Sequence, residues 1–481
     1  MNTYSKSLGN AGELFMSSIP TLKQYVSIKC LSPAFDARWE ENGEIERAMN
    51  LYARFAQERG LPGTSVKISQ IEGRTPALII DVPGTDGSQE TVLIYGHLDK
   101  QPATAPWKNG TDPFVAIEQD DALFGRGVAD DGYAMFAALS GIQAASSQAA
   151  SIPRCVVMIE ASEESGSPDL EAHLEHLLPE LGEVRLVVCL DSGGLDFQRL
   201  WVTTSLRGNL VITVEVEVLE HGVHSGSASG VVPSSFRILR ELISRLEDEK
   251  TGQLLPKVLN PEVPEFYIQK ANELADELGD PLGSAFPAVD GLHLMGNGGA
   301  DRILNQTWRA ALSITGIEGI PDIPTGGNVL RPYTKAKLSL RIPPTVDASA
   351  AQNDIVKLFC SDPPYGAKVV VEPETPAQGW VAPEPAKWLS DALEAGSIQG
   401  YGKGAGYCGE GGSIPFLATL GSKFPDAQFV ATGVLGPGSN AHGPDESLRL
   451  SCARGVSIAV AHLLEAAGRE SSFRRESAGK S

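Results

Sequence analysis

The run Thr91–Asp99, TVLIYGHLD, carries more structural information than any other in this chain. Val92 to Gly96 is a short apolar run closed by glycine, the pattern of a strand buried on both faces of a parallel sheet. It ends in His97-Leu98-Asp99. Strand side chains alternate, so His97 and Asp99 point the same way if extended geometry persists. A carboxylate placed there can hold one imidazole nitrogen and leave the other for a metal. The same residues also fit an inert, hydrogen-bonded histidine at a strand end, and the rest of the chain has to choose.

Upstream, residues 11–27 and 42–59 have helical apolar spacing, residues 76–82 read as a strand, and GTDGSQ at 84–89 reads as a turn. Downstream, LFGRGVADD at 123–131 precedes a helix whose Met135, Ala138, Leu139 and Ile142 share a face. Cys155 to Ile159 and Arg185 to Leu190 are further buried strands, followed by EASEESGSPDLE and DSGG. The pattern then changes. Ile212, Val214, Val216 and Val218 alternate with polar residues, as do Ala336, Leu338, Leu340 and Ile342. Such alternation marks half-exposed strands. Buried strands and helices resume at 386–396, 429–435 and 453–467, and the polar tail from Gly468 reads as irregular. The expected architecture is one α/β domain with a central, mostly parallel sheet, formed by 1–205 and 380–481. An α+β domain at 206–379 interrupts it.

The totals bound the function. A chain of 481 residues exceeds one ordinary core. A net charge of −21 disfavours nucleic acid and anionic membrane surfaces, which reward basic faces. Six cysteines without CxxC spacing read as reduced thiols in a cytoplasmic protein. No apolar h-region opens the chain, and no apolar run reads as long enough for a membrane span.

Acids or histidines follow each buried strand: His97-x-Asp99, Glu163-Glu164 and Asp191. Asp130-Asp131 and, in GPGSNAHGPDE, His442 join them. Ligands of open α/β sheets bind at the carboxyl ends of strands. Converging carboxylates repel one another and need a cation. Imidazole and carboxylate without thiolate suit zinc, cobalt or manganese. Two histidines and several carboxylates can hold two such ions sharing one carboxylate, a site that activates water and polarises a carbonyl.

The ordered set YGHLDKQP, LFGRGVADDG, EASEESGS, LDSGG, HSG, SLRIPP, GEGGSIPF and GSNAHGPDE resembles the dinuclear zinc peptidases of the carnosinase, aminoacylase and carboxypeptidase G family, over nearly the whole chain. Its length and insertion are most similar to the cytosolic carnosinase-type dipeptidases. The resemblance implies a catalytic α/β domain and an inserted lid and dimerisation domain. It implies two divalent ions, zinc before manganese or cobalt. His97, Asp130 and Asp191 hold one. Asp130 bridges to the second, held also by Glu164 and His442. Asp99 orients His97, and Glu163 is the general base. His224 and Asn328 are implied to reach substrate from the partner of a homodimer. Arg341, Ser413 and the 409–412 backbone are implied to receive a substrate carboxylate.

Two departures stand out. Members often carry lysine where this chain has Gly132, and arginine where it has Gly409. Aspartate at 191 is the choice of aminopeptidase and dipeptidase members. The implied activity is metal-dependent hydrolysis of short peptides, with small peptides as partners and neither nucleic acid nor membrane. The alternatives are an N-acyl-amino-acid deacylase with the same metal centre, and a non-catalytic binding protein of the same fold.

Overall fold

A computed structural model describes residues 6–85, 87, 90–103, 106–108, 110–148, 151–286, 288–412 and 415–478. The chain divides into two compact units: 1–204, 382–408 and 419–481 form the first, 205–381 and 409–418 the second. The turn read at 84–89 lies partly outside the described residues.

In the first unit, strands β1 (Ser65–Ser69), β2 (Ala77–Val82), β3 (Glu90–His97), β4 (Arg154–Glu160), β5 (Glu183–Cys189) and β6 (Trp201–Leu206) join the strand Gln428–Ala431 in one sheet. The order across it is β1-β2-β4-β3-β5, then Gln428–Ala431, then β6. The four central strands are parallel. β1, β2 and β6 are antiparallel to their neighbours, so the sheet is mixed around a parallel centre. The reason is local: β1 and β2 are joined by a short turn, which permits only antiparallel pairing. β3 is buried from Thr91 to His97, as its apolar run requires. Helices α1 (Ile19–Val26), α2 (Glu44–Glu58) and α3 (Ala134–Gln148) lie in this unit, α2 packing on β1 and β2, and α3 on β3 and β4.

The helix Leu450–Ala478 packs on Lys387–Tyr401 and α3. Its stretch Leu450–Ser471 is long and apolar enough to cross a membrane, yet 89% of its most apolar window is buried inside the unit. It is a core helix. The helix also runs through Gly468, where the polar composition suggested an irregular tail.

The second unit contains an antiparallel sheet of β7 (Gly208–Glu217), β8 (Ala311–Glu318), β9 (Tyr333–Ile342) and β10 (Lys368–Pro373), in the order β8-β9-β7-β10. β7 alternates buried and half-buried along its length. Helices α4 (Ser235–Leu246) and α5 (Ala348–Cys360) cover the buried face. Ile238, Leu239, Leu242 and Leu246 of α4 are all buried there. Each contributes roughly 1.5–3 kcal/mol, so these four residues fix α4 on its own sheet, while Phe236 of the same helix stays exposed. β8 is an edge strand, largely exposed, with Ile314 and Ile317 on its surface.

Candidate metal centre

Parallel pairing brings the ends of β3, β4 and β5 level, with His97 opposite Glu160 and Tyr95 opposite Cys189. The residues that follow these strands therefore collect at one sheet edge. His97 is the last residue of β3 and is fully buried. Gly96 precedes it because a Cβ there would lie 2.7 Å from both Asp131 Oδ2 and Ala134 Cβ. Asp131 instead accepts the His97 backbone N–H through that oxygen, at 3.3 Å.

Asp130 faces both ways. Its Oδ1 lies 3.3 Å from His97 Nε2, and its Oδ2 lies 3.0 Å from His442 Nε2. Asp191 Oδ2 stands 3.8 Å from His97 Nε2, and Glu164 Oε2 stands 3.1 Å from His442 Nε2. Two donor triads result, His97/Asp130/Asp191 and Asp130/Glu164/His442, each with donor atoms within 4.8 Å of one another. Two ligands on one tetrahedral ion, with bonds of about 2.0–2.2 Å, stand about 3.3–3.6 Å apart. The donor spacing fits.

The electrostatics agree. Burial pushes His97 down, but hydrogen bonds to Asp130 and Asp99 outweigh it and hold the imidazole well above its usual range. Burial likewise opposes His442, and Asp130 and Glu164 carry it up to about 11. Burial raises Glu163, and the charge of Asp191 raises it further. The acids thus favour positive charge at this site. A divalent ion supplies such charge.

Asp99 does more than face His97 Nδ1, which lies 3.5 Å from its Oδ1. Its Oδ1 accepts from Glu163 N at 3.1 Å and its Oδ2 from Glu164 N at 3.0 Å. One carboxylate therefore sets the turn that carries both glutamates. Lys100, also buried, anchors the loop. Its ammonium donates to the carbonyls of Tyr25, Val26 and Ile28 at the end of α1, at 3.1, 3.1 and 2.8 Å. Burial brings it down to about 8. Tyr25 donates in turn to Leu98 O at 2.9 Å. The same tyrosine explains Gly132, since a Cβ there would lie 2.2 Å from its ring.

His224, Asn328 and Arg341 lie in the second unit. Val223–His224 pairs with Val329–Leu330, and Ser225 N donates to Asn328 O at 3.0 Å, so His224 and Asn328 sit together on one exposed spur. Gly226 N donates to His224 Nδ1 at 3.1 Å, which leaves the ring proton on Nε2. Arg341 is half-buried on β9, opposite Asn209 and Ala311. Ser413 lies outside the described residues.

Several contributors escaped sequence reasoning. Gln101 donates to Glu164 Oε2 at 2.9 Å. Arg207, buried, donates from Nε to Gly411 O at 3.1 Å and so holds the glycine-rich segment 409–412. Glu446 is buried and accepts the Asp130 backbone N–H at 3.2 Å. Gln101 and Glu446 belong to the motifs YGHLDKQP and GSNAHGPDE, but nothing in their spacing singles them out.

Two donor triads sharing a carboxylate at the strand ends of an α/β sheet define a metallohydrolase. The chain belongs to Peptidase family M20/M25/M40, whose sequence profile it matches over residues 93–466, and it is a divalent-metal peptidase of that family. It is 30% identical over 401 residues to the cysteinylglycine-S-conjugate dipeptidase of Corynebacterium striatum, covering 80% of this chain and 83% of that one. It is 28% identical over 352 residues to the beta-Ala-His dipeptidase of Homo sapiens, covering 70% and 68%. The solved structure of the di-peptidase Dug1p from Saccharomyces cerevisiae shares the fold, with a TM-score of 0.75 at 22% identity over 96% of this chain and 99% of that one.

Proposed function

We propose that this protein is a dipeptidase with a dinuclear metal site, and that the first unit is its catalytic domain. The observation that carries the reading is Asp130, which offers one oxygen to the His97 side and the other to the His442 side. His97 and Asp191 hold the first ion, Glu164 and His442 the second, and zinc suits these ligands, with manganese or cobalt as alternatives. Bound divalent ions activate water and polarise a carbonyl oxygen. Glu163 takes the water's proton and passes it to the leaving amine, a transfer favoured by a carboxyl that burial raises above the usual carboxylate range. Asp99 holds Glu163 in place through its backbone N–H.

The second unit, on this reading, serves as lid and dimerisation domain. Arg341 and the 409–412 backbone take the substrate carboxylate. The guanidinium fork suits that ligand, and Ser413 joins them on the strength of the sequence motif. His224 presents Nε2–H to the reacting carbonyl oxygen. Asn328 travels with His224, because the two share one spur. Homodimerisation draws its support from the exposed edge strand β8. The six cysteines are thiols rather than disulfides, which suits a reducing, cytoplasmic setting.

The relatives named as dipeptidases support a dipeptide substrate over an N-acyl amino acid. The test is a screen of the zinc-loaded, manganese-loaded and cobalt-loaded enzyme against free dipeptides, their C-terminal amides, and N-acetyl and N-succinyl amino acids. Free dipeptides are expected to be hydrolysed best. Faster hydrolysis of the N-acyl compounds overturns the reading in favour of a deacylase, and no hydrolysis with metal retained favours a binding protein.

A further inference from the structure

His97 ends β3, and Asp191 follows the end of the neighbouring parallel strand β5 by two residues. Asp130 and His442 have no strand to hold them. Both come from loops, and the His442 side chain is 55% exposed. Asn440, His442 and Asp445 all have left-handed backbone, with φ of 53°, 62° and 59°. Non-glycine residues keep such conformations only where their surroundings over-determine them. Something must impose the shape of this loop and its register on Asp130.

Glu446 does so by position. It is fully buried, four residues after His442. Its Oε1 accepts from Ala129 N at 3.0 Å and Asp130 N at 3.2 Å. Its Oε2 accepts from Gly127 N and Arg126 Nη1, both at 2.8 Å. Its own carbonyl accepts from Gly125 N at 3.1 Å. Arg126, also buried, donates its second nitrogen to Gly443 O at 2.6 Å, next to His442. One carboxylate and one guanidinium thus stitch segment 125–130 to segment 443–446.

We propose that Glu446, with Arg126, is a positioning residue that sets the Asp130–His442 pairing and so controls occupancy of the second metal position selectively. The proposal rests on the metal-binding reading above. An ion held by His97, Asp130 and Asp191 keeps two strand-end ligands when the clamp fails. An ion held by Asp130, Glu164 and His442 loses the register between two of its three ligands. Glutamine at 446 keeps the shape but turns an NH₂ group toward backbone N–H donors, which breaks half the clamp.

The test is cobalt(II) titration of the metal-free full-length protein, followed by visible absorbance and by chelator competition. The parent is expected to bind two ions. Glu446→Gln should weaken one ion about 10–100-fold, the range for outer-shell partners, and leave the other within about threefold. In a His442→Ala background, which retains the strand-end ion, adding Glu446→Gln should change affinity less than about threefold. A role in stability alone lowers the melting temperature and weakens both ions alike or neither, and either result overturns the proposal. If Glu446→Gln yields no folded protein, Arg126→Lys decides. It keeps a cation beside Glu446 but cannot also reach Gly443 O. Selective weakening of one ion supports the clamp, and parental binding of both overturns it. A parent that binds no ion refutes the metal centre itself, a distinct outcome.

Discussion

Asp99→Asn is the sharpest probe of how this centre is built. The substitution conserves volume and removes a charge. In the parent each carboxylate oxygen accepts one backbone N–H, from Glu163 at 3.1 Å and from Glu164 at 3.0 Å. An amide has a single acceptor oxygen, so one of the two N–H groups must then face NH₂. Loss of one hydrogen bond to a charged group costs about 1.5–3 kcal/mol. The loss falls on the turn Glu163–Ser165, and the imidazole of His97 loses its carboxylate neighbour as well. Removing such a partner from a ligating histidine costs about 10–100-fold in metal affinity, or about 1.4–2.7 kcal/mol. The two routes meet near 2 kcal/mol, roughly a 30-fold weaker affinity. Chelator competition measures it directly, and turnover at saturating metal should still fall because Glu163 sits on the same turn. A folded Asp99→Asn protein with metal affinity and turnover both within about threefold of the parent refutes the reasoning.

Three further outcomes are expected. Glu163→Gln should retain its metals while losing about 10²–10⁴-fold in turnover, and metal analysis alongside kinetics checks both halves. Gly132→Ala should destabilise the first unit by about 1–3 kcal/mol or more in denaturant melts, because its methyl lands 2.2 Å from the Tyr25 ring and 2.4 Å from Gly127 O. His462→Gln should flatten the acid side of the stability curve. Burial, aided by Arg469, lowers the folded His462 from 6.5 to about 4, so between those values the unfolded chain binds the extra proton. Stability therefore falls as pH drops through that window, by roughly 3 kcal/mol, and the variant should lose that much less than the parent.

The sequence by itself determined the strands, their burial and the acids and histidines gathered at the strand ends. These are local properties: an apolar run ended by an acid or histidine already says where the chain turns and what it presents. His97, Glu163-Glu164 and Asp191 follow buried strands, and parallel pairing alone makes them converge. Half-exposure of β7 and β9 was equally readable from alternation. Another local reading failed where a distant partner decided the outcome. The polar stretch after Gly468 continues a helix that begins in the core.

Only the tertiary structure decided which oxygen of Asp130 faces which histidine, and that Asp99 governs two glutamates 64 and 65 residues away. Glu446 and Asp130 lie 316 residues apart. Glycine at 132 follows from a tyrosine at 25, and the buried Lys100 from carbonyls that end α1. The physical reason is the same in each case. Periodicity reports which face of an element is apolar, within a turn or a pleat. A buried charge or hydrogen-bonding group takes whichever partners the fold brings to it, and that choice is made by the path of the whole chain.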